Sequence, residues 1–98
     1  MLISILVANY NNSRYLENAI SSVYAQTYSN WEIILIDDGS KDEFEEVIKR
    51  YSNDARIKVF RNGKNIGCAS TKKNCIERSS GEVLAFLDPD DSLAPEAL

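Results

Sequence analysis

Four short apolar runs, each the length of one strand, alternate with three stretches whose apolar residues recur every three or four positions. No other feature of the chain constrains its fold so tightly. Ile3 to Ala8 is nearly unbroken in aliphatic and β-branched residues, and so is Trp31 to Ile36. Runs of that kind suit strands covered on both faces. Ile57 to Phe60 is shorter and carries Lys58, which suits a sheet edge. Glu82 to Leu87 reads as a fourth, buried strand.

Between the runs, Leu16, Ala19, Ile20, Val23 and Tyr24 share one helical face, with Asn12 or Ser13 placed to cap it. Ser40-Lys41-Asp42-Glu43 has the form of a capping box ahead of the stripe Phe44, Val47, Ile48 and Tyr51. Acids crowd the start of this second helix and Lys49-Arg50 close it, as the helix dipole prefers. A third helix is expected over about Cys68 to Ser79, with Cys75 and Ile76 turned inward. Strand and helix alternating in this way give a parallel sheet with right-handed crossovers. The expected fold is therefore α/β: a Rossmann-like sheet of about four strands, in order 3-2-1-4, with three flanking helices. Its topological switch lies between the first and fourth strands.

The 98 residues suffice for one small core. Pro95 suits the first turn of a further helix, yet the chain stops three residues later. Residues 1–98 are accordingly read as one incomplete domain, the front of a longer protein truncated at its C-terminal end. A net charge of −4 argues against a nucleic-acid surface, which needs clustered Lys and Arg. Histidine is absent and the only cysteines, Cys68 and Cys75, lack a metal-ligand spacing such as C-x-x-C, so a zinc site is not expected. On one helix those two thiols would stand roughly 10 Å apart, too far for a disulfide. Reduced thiols point to the cytoplasm. The apolar opening breaks at Asn9, far short of a membrane span. Attachment to the inner face of a cell membrane stays open, as does the oligomeric state.

Two acidic clusters, Asp37-Asp38-Gly39-Ser40 and Asp88-Pro89-Asp90-Asp91, each follow a strand directly. Ligands of open parallel sheets collect beyond the carboxyl ends of the strands. Asp-Gly with a capping serine can be no more than a turn, but a second carboxylate there is surplus to that purpose. Three carboxylates within four residues repel one another, and a divalent cation would convert the repulsion into ligation. An Asp-x-Asp pair holding Mg²⁺ or Mn²⁺, with phosphate oxygens completing the shell, is a common arrangement for these ions. Tyr10 could flank a planar ring where the first strand surfaces. Lys72 and Lys73 are either solvated charges or, on a helix beside the site, point charges for a phosphate. The chain has no G-x-G-x-x-G fingerprint, no Walker-type loop and no nucleophile elbow.

Taken in series, these residues resemble the nucleotide-sugar-binding part of family 2 glycosyltransferases, inverting enzymes of the GT-A fold. The resemblance rests on Ser4-Ile5-Leu6-Val7-Ala8-Asn9-Tyr10-Asn11, on Gln26-Thr27-Tyr28 before Trp31-Glu32, and on Ile36-Asp37-Asp38-Gly39-Ser40. It is completed by Gly81-Glu82 and Phe86-Leu87-Asp88-Pro89-Asp90-Asp91. It implies that Ala8 and Tyr10 line the base, that Asp38 bonds the base edge and that Asp37 supports its turn. Asp88 and Asp90 would surround ribose, metal and diphosphate, with Asp90 the direct ligand and Asp91 a further candidate. The implied cofactor is Mn²⁺ or Mg²⁺, and the implied donor a nucleotide-diphosphate sugar of the UDP type. The acceptor would be a saccharide or a lipid-linked sugar, and the general base would lie downstream of residue 98. Where the family often carries Ala-Arg-Asn-x-Gly, this chain has Thr71-Lys72-Lys73-Asn74-Cys75. Lys72 keeps the charge but loses the bidentate fork. Two other readings of the same residues are a receiver-like Mg²⁺-binding phospho-acceptor domain and a non-catalytic nucleotide-binding fragment. The first of these would want paired acids after the first strand, where Ala8-Asn9-Tyr10 stands.

Overall fold

In the computed structural model, which describes residues 1–94 and 96–98, the expected alternation becomes one parallel sheet. The elements in chain order are β1 (Ile3–Asn9), α1 (Ser13–Tyr24), β2 (Trp31–Asp37), α2 (Phe44–Ile48) and a 3₁₀ turn (Lys49–Tyr51). They continue with β3 (Ile57–Arg61), α3 (Cys68–Arg78) and β4 (Val83–Phe86). The strand order is β3-β2-β1-β4, so the connection through α3 carries the chain across β1 and creates the switch point between β1 and β4.

Strand side chains alternate between faces, and here both faces are covered. Ile5, Val7, Ile33 and Leu35 pack with Leu16, Ala19, Ile20, Val23, Phe44, Val47 and Ile48 from α1 and α2. Leu6, Ile34 and Ile36 point the other way and meet Cys75 of α3, with Phe60 beside them. This explains why β1 and β2 read as continuous rather than alternating hydrophobic runs. No helix among the described residues is long and apolar enough to cross a membrane.

Several local expectations change. The capping box does not form: Ser40 turns both its amide and its hydroxyl toward Asp37, at 2.9 and 2.6 Å. The Ser40 oxygen that a helix-end amide would need as acceptor is engaged instead by the Asn11 amide at 2.8 Å. The α2 helix starts later, at Phe44, whose amide is taken instead by Asp42 Oδ1 at 3.2 Å. Asn12 occupies the cap position of α1 without a side-chain cap bond, and the Ser13 amide donates to Asp42 across the gap at 2.9 Å. Tyr51 belongs to the 3₁₀ turn rather than to α2. On α3 it is Thr71 and Cys75, one turn apart, that face the sheet, and Ile76 rotates outward to 44% exposure. The fourth strand is not buried. As a sheet edge it leaves Val83, Leu84 and Phe86 exposed. The helix start expected at Pro95 falls outside the described residues.

Gln26, part of the signature noted in the sequence, has a structural task. Buried at the end of α1, it donates to the Ala94 carbonyl and accepts from the Leu98 amide. With Ser22, which accepts from the Leu93 amide, it folds the segment after the acidic loop back against α1.

Candidate functional site

The carboxyl ends of β1, β2 and β4 and the start of α3 surround a cleft of about 400 Å³ at the switch point. Ala8, Tyr10, Asp38, Asp88 and Asp90 line it together. Residues far apart in the chain meet because all three strands run parallel and end on one rim.

Asp38 is only 3% exposed and is tied on several sides. Its Oδ1 accepts from the Ile66 amide at 2.8 Å and from Asn62 Nδ2 at 3.0 Å, and its Oδ2 from the Gly67 amide at 3.0 Å. Burial works to raise its pKa, but these bonds and the Thr71 hydroxyl together hold it below the ordinary value of 3.8. The result is an ionised, immobile acceptor on the cleft wall. Gly39 makes this packing possible. With φ at +77° it turns the chain where a Cβ would lie 2.8 Å from the Asn65 amide nitrogen.

Asp37 faces elsewhere. Its Oδ1 accepts from Asn9 Nδ2 at 2.9 Å and from the Ser40 hydroxyl, inside a buried network that also includes Ser13. It therefore joins the loop after β1 to the loop after β2 and does not line the cleft. Lys72 also stands outside the lining, with Nζ 3.9 Å from Asp88 Oδ1 and 5.6 Å from the Phe86 ring centroid.

In the second acidic cluster Leu87 and Pro89 are buried while Asp88, Asp90 and Asp91 are exposed. The two buried residues anchor the loop and the acids project from it. One carboxylate oxygen from each of the three can be chosen so that all lie within 4.8 Å of one another. Three hard oxygen donors so close, with water free to complete the shell, fit Mg²⁺ or Mn²⁺ in charge and chemistry. Cys68 is exposed and lines the cleft, whereas the Cys75 thiol is buried against the sheet and pushed up to about 11 by that burial.

Asn12, Asn65, Gly67, Cys68, Thr71 and Pro89 also line the cleft, and none was singled out from the sequence as a site residue. A signal existed in Asn65-Ile66-Gly67, a turn directly ahead of a helix. Its placement beside an edge strand made it look remote. Asp38 draws that loop inward through the Ile66 and Gly67 amides and delivers the start of α3 to the rim.

The fold is an α/β domain of the GT-A type with a cleft at its switch point, and comparison with known proteins agrees. Residues 4–98 match the family described as Glycosyl transferase family 2. The UDP-Glc:alpha-D-GlcNAc-diphosphoundecaprenol beta-1,3-glucosyltransferase WfgD of Escherichia coli is 39% identical over 90 residues, covering 92% of this chain and 35% of that protein. The putative teichuronic acid biosynthesis glycosyltransferase TuaG of Bacillus subtilis is 35% identical over 98 residues, covering 99% and 39%. Among solved structures, S. aureus TarS in complex with UDP-GlcNAc superposes with a TM-score of 0.89 at 25% identity, over 98% of this chain and 28% of that one. The chain belongs to glycosyltransferase family 2. It spans well under half the length of these relatives.

The depressed carboxylates carry a consequence for stability. Glu32 is buried as well, and although burial pushes it up, bonds from Lys58, Ser4 and Ser80 hold it below its ordinary 4.5. Because both groups titrate lower when folded, the unfolded chain takes up their protons first as pH falls. Their stabilisation is complete above about pH 5 and is lost progressively as pH drops through the folded values. Urea midpoints should therefore hold steady from about pH 7 to about pH 5 and then fall toward about pH 3, at an unchanged slope. A midpoint indifferent to acid would contradict these assignments.

Proposed function

We propose that residues 1–98 form the donor-binding half of an inverting, divalent-metal-assisted glycosyltransferase using a nucleotide-diphosphate sugar of the UDP type. The observation that carries this reading is the convergence of Tyr10, Asp38 and the Asp88–Asp90 pair on one cleft. The lining divides the ligand's work between two groups of residues. At one end Ala8, Tyr10 and the fixed acceptor Asp38 suit a planar base with a donor edge. At the other, Asp88, Asp90 and Asp91 would hold Mn²⁺ or Mg²⁺, with Lys72 close enough to meet a phosphate. TarS has been solved with UDP-GlcNAc and with UDP, which supports a uridine nucleotide here. WfgD, by its name, acts on a lipid-linked diphosphate sugar, which supports an acceptor of that general class.

When bound, the cation would supply Lewis-acid stabilisation of the departing diphosphate. This chain's own residues hold the base, orient the diphosphate and gather negative charge where the cation is needed. The acceptor hydroxyl would be deprotonated by a carboxylate outside these residues and attack the anomeric carbon from the face opposite the leaving group, which inverts it. Cytoplasmic placement is consistent with one buried and one exposed free thiol.

Calorimetric titration of UDP into the chain, with and without Mn²⁺, tests the reading. Heats of binding should be larger and the affinity higher with Mn²⁺. Indistinguishable titrations of a folded sample would remove the metal-assisted donor site.

A further inference from the structure

Glu32 lies at the opposite end of β2 from the cleft, 3% exposed, and takes no part in the donor site described above. A buried carboxylate has to be compensated. Lys58 Nζ supplies one partner, 2.8 Å from Oε1. The other oxygen, Oε2, accepts from the Ser4 hydroxyl at 2.6 Å and from the Ser80 amide at 2.7 Å. The same Ser4 oxygen accepts from the Gly81 amide at 2.8 Å. Two consecutive amides of the turn leading into β4 are thus gripped by side chains of β1 and β2. Gly81 fits this grip because it has no side chain. A Cβ there would lie 2.4 Å from Ser4 Oγ and 2.7 Å from the Ser4 amide nitrogen.

The β4 strand needs such an anchor. It is four residues long, pairs on one side only, and leaves Val83, Leu84 and Phe86 exposed at 42%, 38% and 50%. A strand whose own inward contact is little more than half-buried Ala85 is weakly held in register, and a slip of one residue turns every side chain to the other face. Leu87 packs into the core at the far end, and the turn at Ser80-Gly81 holds the near end. Asp88 and Asp90 follow β4 with no further element between, so any slip of the strand would carry them with it.

We propose that Glu32, together with Ser4 and Gly81, is a positioning latch that sets the register of β4 and thereby places the acidic loop. It would govern cation affinity from the far end of the sheet without touching a ligand. The functional half of this proposal rests on the donor-site reading; the structural half does not.

Ser4→Ala and Glu32→Gln in the full 98-residue chain test it by hydrogen exchange and Mn²⁺ titration. Exchange at residues 82–91 should accelerate about tenfold while residues 33–36 keep their protection, the pattern of local rather than global opening. Mn²⁺ affinity should fall about tenfold, with metal-free UDP binding unchanged because the base end of the cleft sits at the far ends of the buried strands β1 and β2 and not on β4. Faster exchange spread evenly over the sheet would reduce Glu32 to general stability and overturn the proposal. So would unchanged exchange at 82–91, or local loosening that leaves Mn²⁺ affinity intact. If the unsubstituted chain binds no Mn²⁺, the donor-site reading fails on its own, and the exchange pattern still decides whether the latch exists.

Discussion

Asp90→Ala is expected to abolish the Mn²⁺-dependent component of UDP binding while leaving the fold intact. The side chain is exposed, its loop is anchored by buried Leu87 and Pro89, and no protein hydrogen bond to its carboxylate is found among the described residues. Removing it costs the fold nothing measurable and the cation one of three closely spaced oxygens. Affinity for UDP in Mn²⁺ should drop about tenfold or more, to the value seen with chelator, since a hard cation depends on the number of charged oxygens around it. Asp91→Ala should have a smaller effect if Asp90 is the direct ligand. Calorimetry of the variants in both conditions gives the answer, and an Asp90→Ala chain that keeps its full Mn²⁺ response would place the cation elsewhere. Thermal unfolding of the same samples confirms that the comparison is between folded proteins.

The second large effect belongs to Asp38. Replacing it with alanine strands the Ile66 and Gly67 amides and Asn62 Nδ2, each of which now donates to its carboxylate. At about 1 kcal/mol for each bond lost, the cost is about 3 kcal/mol. For a domain of this size that corresponds to a fall in Tm on the order of 15 °C. UDP affinity should fall too, with or without Mn²⁺, because the loop that carries Asn65 and Gly67 to the cleft loses its tether. Asp90→Ala and Asp38→Ala therefore separate cleanly: the first affects binding only in metal, the second affects stability and both titrations. Asp38→Asn keeps an acceptor oxygen for part of this set and should fall between the parent and alanine. An Asp38→Ala chain of unchanged Tm would mean that these bonds contribute nothing to stability.

The contrast between those two aspartates shows how far the sequence could be followed. Both were legible as strand-end carboxylates, because a buried apolar run that ends in acid marks the rim of a parallel sheet. Their different tasks were not. Asp38 is held by a loop some 28 residues away in sequence, and Asp90 by nothing but its neighbours' burial. Asp37, expected to support the turn that carries Asp38, accepts from the Ser40 amide and hydroxyl within that turn and from Asn9, its side chain directed away from the cleft as strand alternation requires. Ser40 meets the local rule for a helix cap, but its hydroxyl donates to Asp37 and accepts from the Asn11 amide instead. The burial expected for the fourth strand failed for a similar reason. Its residues are as apolar as those of β1 and its edge position follows from the strand order, but composition does not say how far helices cover a strand's faces, and Val83, Leu84 and Phe86 stay exposed.

What the sequence determined by itself was the set of elements, their parallel arrangement and the order of the strands, because periodicity and crossover handedness are local properties that admit few alternatives. Tertiary structure alone decided which polar side chains face the cleft and which are spent holding the fold. Asp38 with the Asn62–Gly67 loop, and Glu32 with the turn before β4, are pairings between segments distant in the chain. Hydrogen bonds of that kind depend on angles and distances that exist only once the sheet has closed against its helices, so no spacing along the chain encodes them.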